Sequence, residues 1–352
     1  MAHCAKGVFA LPLTLDRPSL RIGATGFNEV IFVPRSVRIC AVIWLIAASA
    51  ASYAEKAYIP NEGSGTLTVI DTSTDREAPV SPIPKQGTIG TKLRGVALDL
   101  SGKTLFAVDA VRNVVLAIDT SSGTVKKTFP NIVSAEGIQL APNGKMVTAC
   151  AEHSNEAVFI DVAALSEAFR VKIQGKNPEH CVYSPNGNWL LTSNEKSQSI
   201  DVIDVAARKS VATVKTAGAP RGMGFLPDGS ALYVADETSG NVDVVDAASW
   251  QIVKSIPIGL RPAGIIVRAD GARVYATAGG DGTVSVIDPK TEAVVASVSV
   301  GKRPWNMALT HDGKKLYVAN GRSNSISVID TGSNTLLRTI DVGALPWGVA
   351  IR

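Results

Sequence analysis

Seven times between Asp71 and Asp330 an apolar, β-branched run ends in aspartate: Asp71, Asp119, Asp161, Asp204, Asp246, Asp288 and Asp330. The intervals are 48, 42, 43, 42, 42 and 42 residues. One copy, Lys302 to Asp330, shows what each holds. Met307–Leu309 reads as a brief apolar strand. His311-Asp312-Gly313 reads as a turn, because Gly tolerates the positive φ such turns need. Leu316–Ala319 alternates as a half-buried strand. Ser323-Asn324-Ser325 turns the chain again, and Ile326–Ile329 is a β-branched strand. A fourth strand follows at Thr335–Val342. A unit this small cannot bury its apolar faces alone, so it must stack on copies of itself.

Four antiparallel strands in about 42 residues is the period of one propeller blade. Seven anchors therefore predict an all-β chain: a seven-bladed β-propeller of four-stranded antiparallel blades. The ends fit this reading. Lys56–Pro60 and Thr66–Ile70 begin a blade that needs one more inner strand, and Trp347–Ile351 supplies it. Pairing the N- and C-terminal strands closes the ring and removes two exposed sheet edges. The other six blades open near Arg94, Glu136, Glu179, Arg221, Ala263 and Trp305. The repeat argues for one domain over residues 55–352 rather than two.

Residues 1–54 read as an N-terminal extension and signal peptide. Arg35 and Arg38 precede an apolar h-region, 39–51, followed by Ser52-Tyr53-Ala54, a small-x-small cleavage site. The h-region is short for a membrane span, which takes about 20 residues. An uncleaved anchor is the rival reading, and Val37 is a candidate true start. Cleavage after Ala54 predicts a periplasmic or secreted protein with no membrane span, taking the source as bacterial. The full chain carries a formal charge of +4, and loss of residues 1–54 leaves 30 basic against 29 acidic side chains. A near-neutral body makes no electrostatic case for nucleic acid or an anionic membrane. A monomer is expected.

The texts LYVAN at Leu316–Asn320 and LYVAD at Leu232–Asp236, with the recurring SVID, resemble the YVTN β-propeller repeat. So do Pro227-Asp228-Gly229, Ile258-Gly259 and Val300-Gly301. The resemblance spans Ala57 to Arg352. It is specific for the fold, while a propeller serves many functions. Pro346-Trp347-Gly348-Val349-Ala350 and Ser193-Asn194-Glu195 are similar to the propellers associated with PQQ-dependent alcohol catabolism. The resemblance implies that ligands or partners meet the top face, the rim carrying the second-to-third strand turns and the inter-blade loops.

The residues opening the inner strands keep one register: Arg94, Glu136, Glu179, Arg221, Ala263, Trp305 and Trp347. They are expected to ring the mouth of the axial channel. Two adjacent blades offer aromatic faces and four offer Arg, Glu, Glu, Arg. That set suits a flat or apolar group on one side and a polar group on the other. The plainer reading is packing of the Trp side chains and ion pairing across blades. The next position is usually Gly, which allows close backbone approach near the axis. His180 and Asn306 are the exceptions, and both join the candidate ligand-binding set.

Ten residues before each anchor stand Asn61, Asp109, Ala151, Asn194, Asp236, Ala278 and Asn320. Asn and Asp there are expected to bond their own turn. Blade 3 departs with Cys150-Ala151-Glu152-His153, and His180-Cys181 open blade 4. Three readings stay open. The cysteines form a Cys150–Cys181 disulfide, or His153 and His180 hold Cu or Zn with a Cys or Glu, or these are buried thiols beside unrelated histidines. The surplus of about six residues within 79–92 reads as an extended loop over the top face.

The sequence contains no G-x-S-x-G, no Walker loop and no C-x-x-C-H. The expectation is a non-catalytic scaffold that binds a periplasmic protein or small molecule through its top face, accessory to a quinoprotein or redox system. The alternative is an enzyme or redox protein. One version resembles haem-binding propellers of periplasmic nitrite reductases, with His153 or His180 as iron ligand. Another resembles seven-bladed lactonases, with Glu136, Glu179 or His180 as acid–base group.

Overall fold

The computed structural model describes residues 55–78 and 89–352. Residues 1–54, where the signal peptide is expected, and most of the 79–92 insertion lie outside the described residues. Seven four-stranded antiparallel sheets follow one another. Blade 1 is assembled from both chain regions, with Ala350–Ile351 innermost, then Lys56–Asn61, Thr66–Asp71 and Arg76–Glu77. Blades 2 to 7 each run from the inside out in chain order, beginning with Leu93–Leu98, Ala135–Leu140, Pro178–Tyr183, Pro220–Phe225, Pro262–Val267 and Pro304–Leu309. Among the described residues the helical content is one turn of 3-10 helix, Glu195–Ser197.

The core is divided among seven seams. Because side chains alternate across a strand, each blade feeds two of them. Tyr58, Leu67 and Val69 of blade 1 pack with Leu105, Ala107 and Leu116 of blade 2. Ala57, Ile59 and Ile70 of the same blade pack with Tyr317, Ala319 and Ile326 of blade 7. A one-residue slip in any strand would exchange its two seams. Outer strands face solvent and are correspondingly polar, as in Val125–Phe129.

The recurring anchor aspartates have a local cause. Asp71 accepts from the backbone N–H groups of Ser73 and Thr74, Asp119 from those of Ser121 and Ser122, and Asp330 from those of Gly332 and Ser333. Each carboxylate thus caps the turn into the outer strand.

The residues ten before each anchor do more than the sequence reading assigned. Asp109 accepts from Arg112 N–H in its own turn and from Thr91 N–H, 2.7 Å, in the loop entering the blade. Asp236 and Asn320 hold Gly218 and Gly301 in the same way. These buried side chains tie the loop between blades to the top turn. Where blade 6 has Ala278, Asp281 takes over and accepts from Leu260 N–H at 2.7 Å.

Closure rests on blade 1. Ala57 pairs with Ile351 and Tyr58 with Ala350. Lys56 and Arg352 exchange N–H···O bonds of 2.8 and 3.0 Å, Glu62 N–H meets Leu345 O at 2.8 Å, and Trp347 N–H meets Pro60 O at 2.9 Å. Deleting residues 345–352 removes at least these four bonds. At about 1 kcal/mol each, and about 2–4 °C per kcal/mol for large domains, melting should fall by roughly 10 °C. A truncated protein that melts with the full-length chain would contradict this closure.

Candidate functional site

Every inner strand of blades 2 to 7 has a register shift near its opening, as between Leu93 and Val96 or Pro304 and Met307. Such bulges re-aim side chains, and these fall at the strand-opening residues. The Gly that follows is required by space. A β-carbon at Gly95 would lie 2.2 Å from Glu136 O, and one at Gly264 would lie 2.3 Å from Trp305 O. The seven strand-opening residues, Arg94 through Trp347, line one cavity of about 260 Å³ with His180 and Asn306.

Two arginines organise its acidic side. Arg94 touches Glu62 at 3.2 Å, Glu136, and Glu152 at 3.3 Å. Arg221 touches Glu179, Glu195 at 3.7 Å and Glu237 at 2.5 Å. Burial raises the Glu152 carboxyl above its ordinary range against the opposing charge of Arg94. Burial and the neighbouring charges of Glu237 and Glu152 raise Glu195. Glu237 behaves oppositely. Burial would raise it, but the charge of Arg221 and hydrogen bonds from Arg303, Arg221 and Arg261 hold it at about 2.

His180 stacks on Trp347 with ring centroids 5.5 Å apart and 26° between planes. Blades 4 and 1 face each other across the ring, so this pair meets over the axis. His180, Asn306 and Trp347 also line a lower chamber of about 510 Å³, whose walls include Val96, Val182 and Phe225. The three residues therefore partition the channel. Burial pushes the His180 imidazole down to about 4, helped by the charge of Arg94. The ring is neutral at pH 7.

Among the described residues, one set of three metal-capable side chains brings donor atoms within 4.8 Å of one another: Glu136, Glu179 and His180. His153 lies outside this set, exposed on the top turn of blade 3. It sits within the turn between the second and third strands, whereas His180 belongs to an inner strand. Two carboxylates and an imidazole suit a divalent cation in kind. Each carboxylate, however, already faces a guanidinium that a cation would have to displace. The cavity also lies below the 300–1,000 Å³ or so typical of pockets for drug-sized ligands, so a tetrapyrrole would require the mouth to open.

The two cysteines are joined. Cys150, on the second strand of blade 3, is disulfide-bonded to Cys181 on the inner strand of blade 4, with Cα atoms 6.2 Å apart. The bond lies beside His180 in sequence and ties the seam beneath the ring.

Five charged residues at or beside the mouth escaped the sequence reading: Glu62, Glu237, Arg261, Arg303 and Arg322. For the two glutamates the signal was one step along the same register. Nine residues before the anchors stand Glu62, Ala110, Glu152, Glu195, Glu237, Gly279 and Gly321.

A family model described as "Lactonase, 7-bladed beta-propeller" matches residues 117–212 and 204–341. No curated protein matches the sequence. Among solved structures, a hydrazine synthase chain of Kuenenia stuttgartiensis is 20% identical with a TM-score of 0.66, covering 75% of this chain and 92% of that one. A putative 6-phosphogluconolactonase of Bacteroides uniformis is 18% identical with a TM-score of 0.71, covering 85% and 100%. The periplasmic gluconolactonase of Pseudomonas aeruginosa is 18% identical with a TM-score of 0.70, covering 84% and 98%. At these identities the structural likeness establishes the fold alone.

Two outcomes follow from the site. The disulfide closes a loop with a sequence separation of 31, which the chain-entropy relation values at about 3–4 kcal/mol. Replacing both cysteines with Ser should lower unfolding stability by about that amount under oxidising conditions. Denaturant titration checks it, and equal stability with and without reductant would contradict it. His180 gives a pH signature. Its folded pKa of about 4 lies below the unfolded value of about 6.5. The unfolded chain binds the proton first, so stability falls as pH drops from about 6.5 toward 4, by up to roughly 3 kcal/mol. His180→Gln should flatten that part of the profile, and an unaltered slope would contradict the assignment.

Proposed function

The chain belongs to the seven-bladed β-propeller lactonase family, and from that membership we propose that its top-face cavity binds a small lactone and hydrolyses the ring. The observation that carries this reading is a neutral imidazole, His180, in a cavity of about 260 Å³ whose linings include the Arg94–Glu136 and Arg221–Glu179 pairs. Water attacks the lactone carbonyl carbon while His180 accepts its proton. Arg94 or Arg221 donates hydrogen bonds to the developing oxyanion. The ring C–O bond then breaks, and the alkoxide takes the proton from the imidazolium. The product is the open-chain hydroxy acid. Trp305 and Trp347 offer flat apolar faces to the carbon skeleton. The same proposal makes this activity periplasmic or secreted, a reading that the export signal expected at residues 35–54 supports.

A second reading is a non-catalytic binder that serves a periplasmic quinoprotein or redox system, the association implied by Pro346–Ala350. The commitment of Glu136 and Glu179 to arginines, with His180 already stacked on Trp347, favours it. Purified periplasmic protein tested on five- and six-membered lactones distinguishes the two. Turnover should fall by about 10²–10⁴ in His180→Gln, the usual contribution of a positioned acid–base group. Saturable lactone binding without turnover would remove the catalytic step, and neither binding nor turnover would defeat the lactone reading and leave the binder.

A further inference from the structure

The acidic turn residue is missing from blade 2, which has Ala110, and from the two adjacent blades 6 and 7. Blades 1, 3, 4 and 5 have Glu nine residues before the anchor, whereas blades 6 and 7 have Gly279 and Gly321. Larger side chains occupy the space. A β-carbon at Gly279 would lie 2.7 Å from Arg303 Nη1, and one at Gly321 would lie 2.5 Å from the Trp305 ring. The arginines here consequently share one counter-ion. Arg261 reaches Glu237 at 2.7 Å and Arg303 reaches it at 2.8 Å, while Arg221 takes its other oxygen. Arg303 is 8% exposed, and its Nη1 is buried with no hydrogen-bond partner among the described residues.

Next to Arg303 lies a hollow of about 540 Å³ between blades 6 and 7, lined by Gly279, Arg261, Lys302, Arg303 and Arg322. Its acidic member, Asp281, already accepts the Leu260 N–H at 2.7 Å. Four cations around one hollow, with a buried guanidinium nitrogen left without an acceptor, match the fork geometry that arginine offers to oxyanions.

We propose that this hollow is an oxyanion site that takes the phosphate or carboxylate group of a small molecule, anchored by Arg303 and Arg322. Arg261, Arg303 and Arg322 line both this hollow and the mouth cavity. One ligand can therefore put its anionic arm here and its ring in the mouth. That second half rests on the lactone reading, while the oxyanion site stands without it.

Calorimetric titration at constant ionic strength, with inorganic phosphate and separately with citrate, tests the site. At least one probe should bind saturably at one site per chain. Phosphate alone would identify a phosphate monoester as the ligand class, and citrate alone a carboxylate. Arg303→Met should weaken binding at least tenfold. Because Arg303 is buried, the exposed Arg322→Glu is the variant that cannot fail through misfolding, and it should weaken binding at least threefold. Lys127→Ala, on an outer strand, should leave the affinity within twofold. Binding of neither probe, or wild-type affinity in Arg322→Glu, overturns the site. If a lactone is turned over, the bound probe should inhibit competitively, and non-competitive inhibition overturns the shared-ligand half. Probe binding without lactone turnover leaves the oxyanion site standing and removes the lactone reading instead.

Discussion

The tight contact between neighbouring inner strands governs the rest of this propeller. At Gly95, Gly137, Gly222 and Gly264 a β-carbon would press into the backbone of the next blade, at 2.2 to 2.8 Å from a carbonyl oxygen. That contact draws seven strands around a narrow axis and sets the size of the mouth. With the strands so close, charged strand-opening residues of adjacent blades must neutralise one another. Arg94 with Glu136 and Glu179 with Arg221 do so across neighbouring blades. Where the small residue is replaced, the side chain projects into the channel. His180 does this and meets Trp347 from the opposite side.

Much of the architecture was legible because period and register are one-dimensional properties. Seven anchors gave seven blades, and a constant offset from each anchor named the residues of the mouth. The pairing of Lys56–Asn61 with Ala350–Ile351 followed from counting strands at the two ends. What could not be read was direction within a blade. His153 and His180 both sit near the same seam in the repeat, yet one lies in an exposed turn and the other on an inner strand. The cysteines beside them left three chemistries open, and only three-dimensional placement joined Cys150 to Cys181. The glutamates Glu62 and Glu237 were overlooked because acidic residues in a turn resemble solvated ones. Arginines from outside the blade cover them, Arg94 over Glu62 and Arg303 over Glu237.

The mouth is electrically lopsided as a result. Over blades 1 to 5, Glu62, Glu136, Glu152, Glu179, Glu195 and Glu237 surround Arg94 and Arg221. Over blades 6 and 7, glycine replaces the turn acid and Arg261, Lys302, Arg303 and Arg322 gather. The overall charge of the body is near zero, so this polarity is invisible in composition. A polar ligand entering the mouth meets a field with a fixed sense, which orients it before contact is made.

Closure through blade 1 also shapes how such a chain acquires its fold. The pairing of Ala57 with Ile351 spans nearly the whole sequence, and contacts so remote slow folding. Blades 2 to 7 are each continuous in the chain and can stack as they form, in the manner of a linear repeat. The strand Lys56–Asn61 meanwhile keeps a bare edge until the last residues arrive. For a polypeptide threaded across a membrane from its N-terminus, that edge would be the first part to emerge and the last to be covered. The interval between the two is when strand-to-strand aggregation threatens most.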